Sequence, residues 1–379
     1  MKRTLDWLPI ALGLVFLLGL AYLMRQRAFT GKNDFVQLYT GAKLAGTPEL
    51  YSRTANVLRI NSTLGLTMEI MYIRPPFYAA LLKPLAFLPY LAAYAVFSLA
   101  TLLSILWFVL RFSKECFALP FLASMSIPIL ASLCNGQDTP FLVALLGASV
   151  LLTRENRDLS AGLVLSLCVI KFHLFLFLPI LLITKKRWRI LGGAAVGTAA
   201  LTVFGALTTG PESLLAYVQA LRDPWTNPNA DAMPNLHGLV AVLHGDATWE
   251  LALAALVLIA FVWMVRRTEN YEFLFAASIV CGLLTSVHSG IADDILLLPA
   301  FVFAIGSCSS ASLRAALVLI LTPVPYFVAL AGAPYSAFLS IALLMLLGLF
   351  VYSAKDSVPA GARSSQPQFE DALRPNAII

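Results

Sequence analysis

Charge is scarce in this chain. Of 379 residues only 12% are Asp, Glu, Lys or Arg, against about 25% in soluble domains. So few charges cannot cover a water-facing surface, which excludes an ordinary soluble globule. Histidine is scarcer still, at four residues. The five cysteines (Cys116, Cys134, Cys168, Cys281, Cys308) stand far apart, mostly in or beside apolar runs. No CxxC or metal-ligand spacing occurs, so neither a disulfide framework nor a metal site is expected. The thiols read as small buried hydrophobes. P-loop, zincin, GxSxG and dinucleotide-binding motifs are missing, and no internal repeat is visible, which weakens the case for a repeat-built transporter.

What fills the chain is apolar: 59% of residues, with a mean hydropathy of +0.83. Several stretches reach the roughly 18–20 residues needed to cross a bilayer core. The net charge of +6 lies largely in short clusters between apolar runs, such as Lys185 to Arg189 and Arg266-Arg267. That is the pattern of the positive-inside rule; no basic stripe with interleaved aromatics points to nucleic acid. The class expected is an all-α integral membrane protein.

Lys2 and Arg3 precede a first span over about 7–24, read as an uncleaved signal anchor. An external section over about 25–75 follows, in which Phe35, Leu38, Tyr39, Ala42 and Ala45 recur at helical spacing, predicting an amphipathic surface helix. A second polar helix is expected over about 54–70 and a short helix over about 76–88. Spans are predicted over about 90–112, 117–133 and 140–153. The stretch Leu159 to Thr184 has positive clusters at both ends and Lys171 and His173 in its middle, which predicts two short helices meeting at Lys171. A span over about 190–208 leads to a second external section, about 209–247. Spans at about 249–265 and 271–287, a helix at 295–308 and spans at 313–332 and 335–353 complete the pass. The reading is one transmembrane domain over 1–353 with about ten to twelve crossings and both termini cytoplasmic, followed by a disordered tail over 354–379.

The polar residues that interrupt this pattern carry the functional candidates. Asp34 begins the amphipathic helix and reads either as its N-cap or as a carboxylate whose low-dielectric surroundings make it a better base. Lys171 is an intramembrane cation, suited to a lipid phosphate or to snorkelling. His288 with Asp293 and Asp294 could orient a hydroxyl or form an acid–base pair, or lie in a solvated loop. Arg74 precedes two prolines and could meet a carboxylate or phosphate. The Asn135-Gly136-Gln137 turn offers amides to sugar hydroxyls. His237, in a run that reads as a turn opening a helix, is a weaker candidate.

The order of these landmarks resembles glycosyltransferase family 87, one of the families with a GT-C fold. The carriers are Asp34-Phe35 with Tyr39, Ala42 and Leu50-Tyr51; Pro75-Pro76-Phe77 through Leu88-Pro89; Gly136-Gln137; Ala161-Gly162-Leu163 with Lys171 and Leu178-Pro179; and Ser286-Val287-His288 with Asp293 and Leu296 to Pro299. Val287 stands where the family usually has Pro, and Ile291 where an aspartate is common. The resemblance implies a GT-C-like bundle with external amphipathic helices. It implies a membrane hexosyltransferase that moves a sugar, commonly mannose, from a polyprenyl-phosphate donor to an acceptor hydroxyl of a glycan or glycolipid in cell-envelope biosynthesis. The reaction would be a single inverting displacement outside the cell membrane, with no cofactor or metal. Asp34 would be the base, with Lys171, Arg74, His288, Asp293, Gln137, Tyr39 and His237 binding substrate. The rival reading is a transporter or lipid-linked-sugar flippase, which would place polar residues through the span middles.

Overall fold

The computed structural model describes residues 7–223 and 230–354, and their regular structure is helical. The helices are α1 (Trp7–Thr30), α2 (Phe35–Leu44), α3 (Arg53–Leu64), α4 (Pro76–Leu82), α5 (Tyr90–Phe112), α6 (Leu119–Ser124), α7 (Ile127–Asn135), α8 (Thr139–Arg154), α9 (Asp158–Ser166) and α10 (Phe177–Thr184). They continue with α11 (Trp188–Thr209), α12 (Glu212–Leu221), α13 (Leu236–Val242), α14 (Ala247–Arg267), α15 (Tyr271–Thr285), α16 (Leu297–Ile305), α17 (Ala311–Leu321), α18 (Pro323–Ala329) and α19 (Ala337–Ser353). The tail beyond Ala354, with Lys2 and Arg3, lies outside the described residues.

Five helical stretches are long and apolar enough to cross a bilayer: Trp7–Gln26, Tyr90–Phe112, Asp158–Phe175, Trp188–Thr209 and Ala247–Arg267. The pair α17–α18 makes a sixth if its two arms count as one span, and α8, α15 and α19 are shorter apolar helices. Full-length apolar helices among the described residues thus number five or six, against the ten to twelve crossings expected from hydropathy; the rest of that expectation falls on short helices such as α8, α15 and α19.

Breaks fall where local chemistry dictates. The span expected over 117–133 is two helices: the chain turns at Met125, Ser126 caps α7 by accepting from the Ile129 N–H, and Pro128 occupies the first turn, where its missing N–H costs nothing. Pro323 divides the span expected over 313–332 into α17 and α18, bent by 57°. The helix expected over 54–70 stops at Leu64, because Gly65 takes the left-handed conformation (φ 66°) and closes the end on Asn61.

The largest departure concerns α2. Its periodicity predicts a helix lying along the membrane surface, yet nine of its ten residues are buried, Gln37 and Thr40 among them. Helices α3, α4 and α5 cover it, so what read as a polar face is packed inside protein.

Two packing devices hold the bundle. Helices α9 and α11 meet backbone to backbone: a Cβ on Gly162 would overlap the Ile190 carbonyl oxygen, and one on Gly193 the Leu159 carbonyl oxygen. At the centre, α15 is buried from Glu272 to Leu284 and packs on α10, α14, α16 and α19. Each end of α8 carries an ionic layer. At its C-terminus Arg154 bonds Glu272 at 2.8 Å through two nitrogens and Glu115 through a third. At its N-terminus lies the candidate site.

Candidate functional site

Asp34 precedes α2 in the capping position, but its side chain makes no capping bond. Asn33 takes that work, accepting from the Phe35 N–H at 3.1 Å and from the Tyr90 hydroxyl at 2.8 Å. The Asp34 carboxylate is thereby released to face the turn between α7 and α8, where Gln137 Nε2 donates to its Oδ2. That approach depends on Gly136. It closes α7 at φ 62°, and a Cβ there would sit 2.5 Å from the Phe35 Cβ.

Lys171 lies at a backbone break (φ −129°, ψ 57°) inside the 3₁₀ segment Leu167–Phe175 that joins α9 to α10. The two short helices expected around it are present. Their break sends the ammonium into a nest of oxygens: Asp293 Oδ1 at 2.6 Å, Thr139 Oγ1 at 2.8 Å, Gln137 Oε1 at 3.0 Å and Asp138 Oδ1 at 3.2 Å. Arg74 donates to the same Asp138 from Nε at 2.7 Å and Nη2 at 3.3 Å. Thr139 in turn donates to Asp293 at 2.6 Å, and the Gly290 N–H reaches the other Asp293 oxygen at 3.1 Å. Arg74, Asp138, Lys171 and Asp293 are each at most 4% exposed. Two cations and two carboxylates balance one another, and Asp34 is the odd charge beside them.

These partners set the protonation states. Burial pushes the Asp34 carboxyl above its ordinary 3.8, only partly offset by the Gln137 hydrogen bond and the charges of Lys171 and Arg74. Burial acts the same way on Asp293, but Lys171 and the Thr139 and Gly290 donors outweigh it and hold that carboxyl below the usual range. Asp138 is likewise held down, against burial, by Arg74 and Lys171. His288 is lowered to about 4, by burial first and by Arg74 and Lys171 as well, so its imidazole is neutral at pH 7.

A cavity of about 520 Å³ opens on this cluster. Asp34, Arg74, Gln137, Lys171, His288 and Asp293 line one pole, with Gln37, Glu69, Asn135 and Ser289 beside them. Much of the remaining lining is apolar and includes Leu20 and Met24 of α1, Ile127, Leu130 and Ala131 of α7, and Phe327 of α18 with Leu330.

Six of the eight sequence-derived candidates thus meet on one cavity, and two do not. Tyr39 is buried against Tyr90 and donates to the Leu88 carbonyl at 2.7 Å, away from the cavity wall. His237 Nδ1 sits 2.8 Å from Glu250 at the junction of α13 and α14, also off the wall. Asp293 and Asp294 are both buried, so the solvated-loop alternative fails. Sequence reasoning missed Asp138, Thr139 and Asn235. The last pins the start of α13 to the His288 loop by donating to the Ser286 carbonyl and the Ser289 hydroxyl, both at 2.9 Å. An Asp before Thr-Pro reads as a helix cap, and nothing local in the sequence says that Asp138 answers to Arg74 instead.

Among the described residues no group of three or more His, Cys, Asp or Glu is arranged to hold a metal ion. Neither the curated proteins nor the solved structures include a significant match to the chain. The family model of glycosyltransferase family 87 matches residues 72–290, a stretch that carries Arg74, Gln137, Asp138, Lys171 and His288 but not Asp34 or Asp293. With more than half its length matched, and with the all-helical, membrane-suited fold that the sequence resemblance implies, the chain belongs to glycosyltransferase family 87.

Proposed function

We propose that this membrane glycosyltransferase transfers a hexose, mannose by family habit, from a polyprenyl-phosphate donor to a hydroxyl of a glycan or glycolipid acceptor. The observation that carries this reading is one cavity lined both by a buried ionic cluster with one uncompensated carboxylate and by apolar residues of α1, α7 and α18. A donor with a charged head and a hydrocarbon tail has the same division. The tail would lie against α1, α7 and α18, and the sugar and acceptor would meet beside Asp34.

In the displacement, the acceptor oxygen attacks the anomeric carbon as its proton passes to Asp34. The bond from that carbon to the phosphate oxygen breaks, and the electron pair leaves with the polyprenyl phosphate. A base of raised pKa suits this task, since it holds the proton better once taken. Lys171 and Arg74 are engaged by carboxylates, so their contribution to the leaving phosphate is the field of a fixed, dry cluster rather than direct contact. His288, neutral at pH 7, offers a hydrogen bond to a sugar hydroxyl. The positive clusters at Lys185 to Arg189 and Arg266-Arg267 support cytoplasmic termini and an external site in the cell membrane. A transporter would carry polar groups through its span middles, whereas the ionic layers described here sit at the two ends of α8.

Asp34→Asn keeps the shape and removes the base. Transfer from a labelled polyprenyl-phosphate mannose should fall by about 10²-fold or more, with unchanged amounts of folded protein in the membrane. Undiminished transfer would overturn the assignment.

A further inference from the structure

Asp138 occupies the position where a carboxylate ordinarily accepts from the first free N–H groups of a helix, yet it makes no capping bond to α8. It is fully buried and serves Arg74 and Lys171 instead. An ammonium has three hydrogens, and Lys171 distributes them among four oxygens. The one directed at Gln137 Oε1 decides which way that amide faces. With its oxygen accepting, the Gln137 NH₂ can only donate, and the oxygen it meets is Asp34 Oδ2.

We propose that Asp138, Lys171 and Gln137 form a positioning relay, in which the Arg74-anchored Asp138 fixes Lys171, Lys171 fixes the Gln137 amide, and the amide ties down one oxygen of Asp34 while the other remains for the acceptor hydroxyl. The inference deepens the reading of Asp34 as the base and rests on it. None of the three residues need touch substrate. The relay gives Lys171, the intramembrane cation, a task other than contact with the donor.

The charged and titratable groups around Asp34 come from every neighbouring element. Gln137 and Asp138 lie in the α7–α8 turn, Lys171 in the broken segment, and Arg74 before α4. His288 and Asp293 follow α15, Tyr90 is on α5, and Glu69 stands on the same cavity wall. Among these, the two ends of the relay act on Asp34 with opposite sign. Removing the Gln137 donor withdraws support from the ionised carboxylate, so Asp34 should titrate at higher pH. Removing the Asp138 charge leaves Arg74 and Lys171 less neutralised, which by charge alone moves the Asp34 titration to lower pH, while the relay opposes that shift because an unfixed Lys171 lets the amide turn away from Asp34.

The test is an infrared titration of the full-length protein in lipid nanodiscs, following the protonated-carboxyl stretch that disappears in Asp34→Asn. Gln137→Leu should raise the midpoint by about one pH unit, a tenfold change in proton affinity, and Asp138→Asn should lower it clearly less in the wild-type background than in Gln137→Leu, where the amide is already gone. Gln137→Glu, which keeps the shape while adding a second carboxylate beside Asp34, should also raise it and serves if Gln137→Leu does not fold. A midpoint that stays put in Gln137→Leu, or an Asp138→Asn shift of the same size in both backgrounds, would overturn the relay. The acid limb of kcat/KM for transfer should follow the infrared midpoints. Shifted midpoints in a protein that transfers no sugar would leave the relay standing and sink the proposed function instead. Normal transfer with unmoved midpoints would do the reverse.

Discussion

Arg74 and Asp138 are 64 positions apart and both buried, so each depends on the other for its charge. Breaking such a pair from one side leaves an uncompensated ion in a dry interior, which costs about 3–5 kcal/mol. Arg74→Met leaves Lys171 facing two buried carboxylates, and should lower the melting temperature in detergent sharply. Adding Asp138→Asn restores the count to one cation and one carboxylate. The double variant should therefore be more stable than Arg74→Met alone, a recovery of about 1–3 kcal/mol on the scale of coupled neighbours. A double variant no more stable than the single one would mean that Arg74 contributes by packing rather than by charge. This pairing was the least legible part of the site. Arg74 stood out because two prolines follow it and Lys171 because apolar residues surround it, but a long-range partner leaves no mark on either local pattern.

At the scale of elements, long uniform hydrophobic runs were the readable part. The span expected over 90–112 coincides with α5 (Tyr90–Phe112), and α8, α11 and α14 lie within two residues of expectation at each end. The break at Lys171 was also legible, because a cation between positive flanks cannot sit in one plain crossing. Burial of α2 was not. Helical periodicity reports that one face is more apolar, and cannot tell whether the other face meets water or a second layer of protein. Close packing has a clearer signature in the glycines of α9 and α11. Gly162→Val would drive a branched side chain into the Ile190 carbonyl, where backbone rather than a flexible side chain must yield. Overpacking ordinarily costs about 1–3 kcal/mol, and this contact should reach the upper end of that range. Because α9 runs on into the segment that carries Lys171, transfer should fall together with thermal stability. A Gly162→Val protein with normal melting and normal transfer would show that the two helices can part without consequence. Gly192, the neighbour of Gly193 in the same Gly-Gly pair but with open space around its Cβ position, should tolerate alanine with unchanged melting.

The whole molecule brings together what no single element holds. The ionic pole is assembled from the segments around Asp34, Arg74, Gln137, Lys171 and Asp293, and the apolar wall from α1, α7 and α18. The exposed leucines and valines of α1 suit a bilayer setting: Leu8, Leu12, Val15, Leu18 and Leu23 are all exposed, and the helix packs mainly on α6 and α7. Beside it the bent α17–α18 pair leaves Phe327 packed edge-on against Phe16, with ring centroids 6.1 Å apart. A hydrocarbon chain entering here would gain about 0.8 kcal/mol for each methylene buried. The head group and the tail of the donor would then contribute separately, and they can be separated by experiment. Ala131→Trp adds a bulky ring among the apolar lining residues, one turn before Asn135 on α7. If it displaces about two methylene-equivalents of a long isoprenoid, the lost burial is about 1.6 kcal/mol, and KM for that donor should rise by roughly tenfold. A short, water-soluble prenyl-phosphate donor does not reach that wall, so its kinetics should change little in the same variant. Equal losses for both donors would mean that the substitution disturbs the site as a whole. Unchanged use of the long donor would mean that the tail leaves the protein by another face.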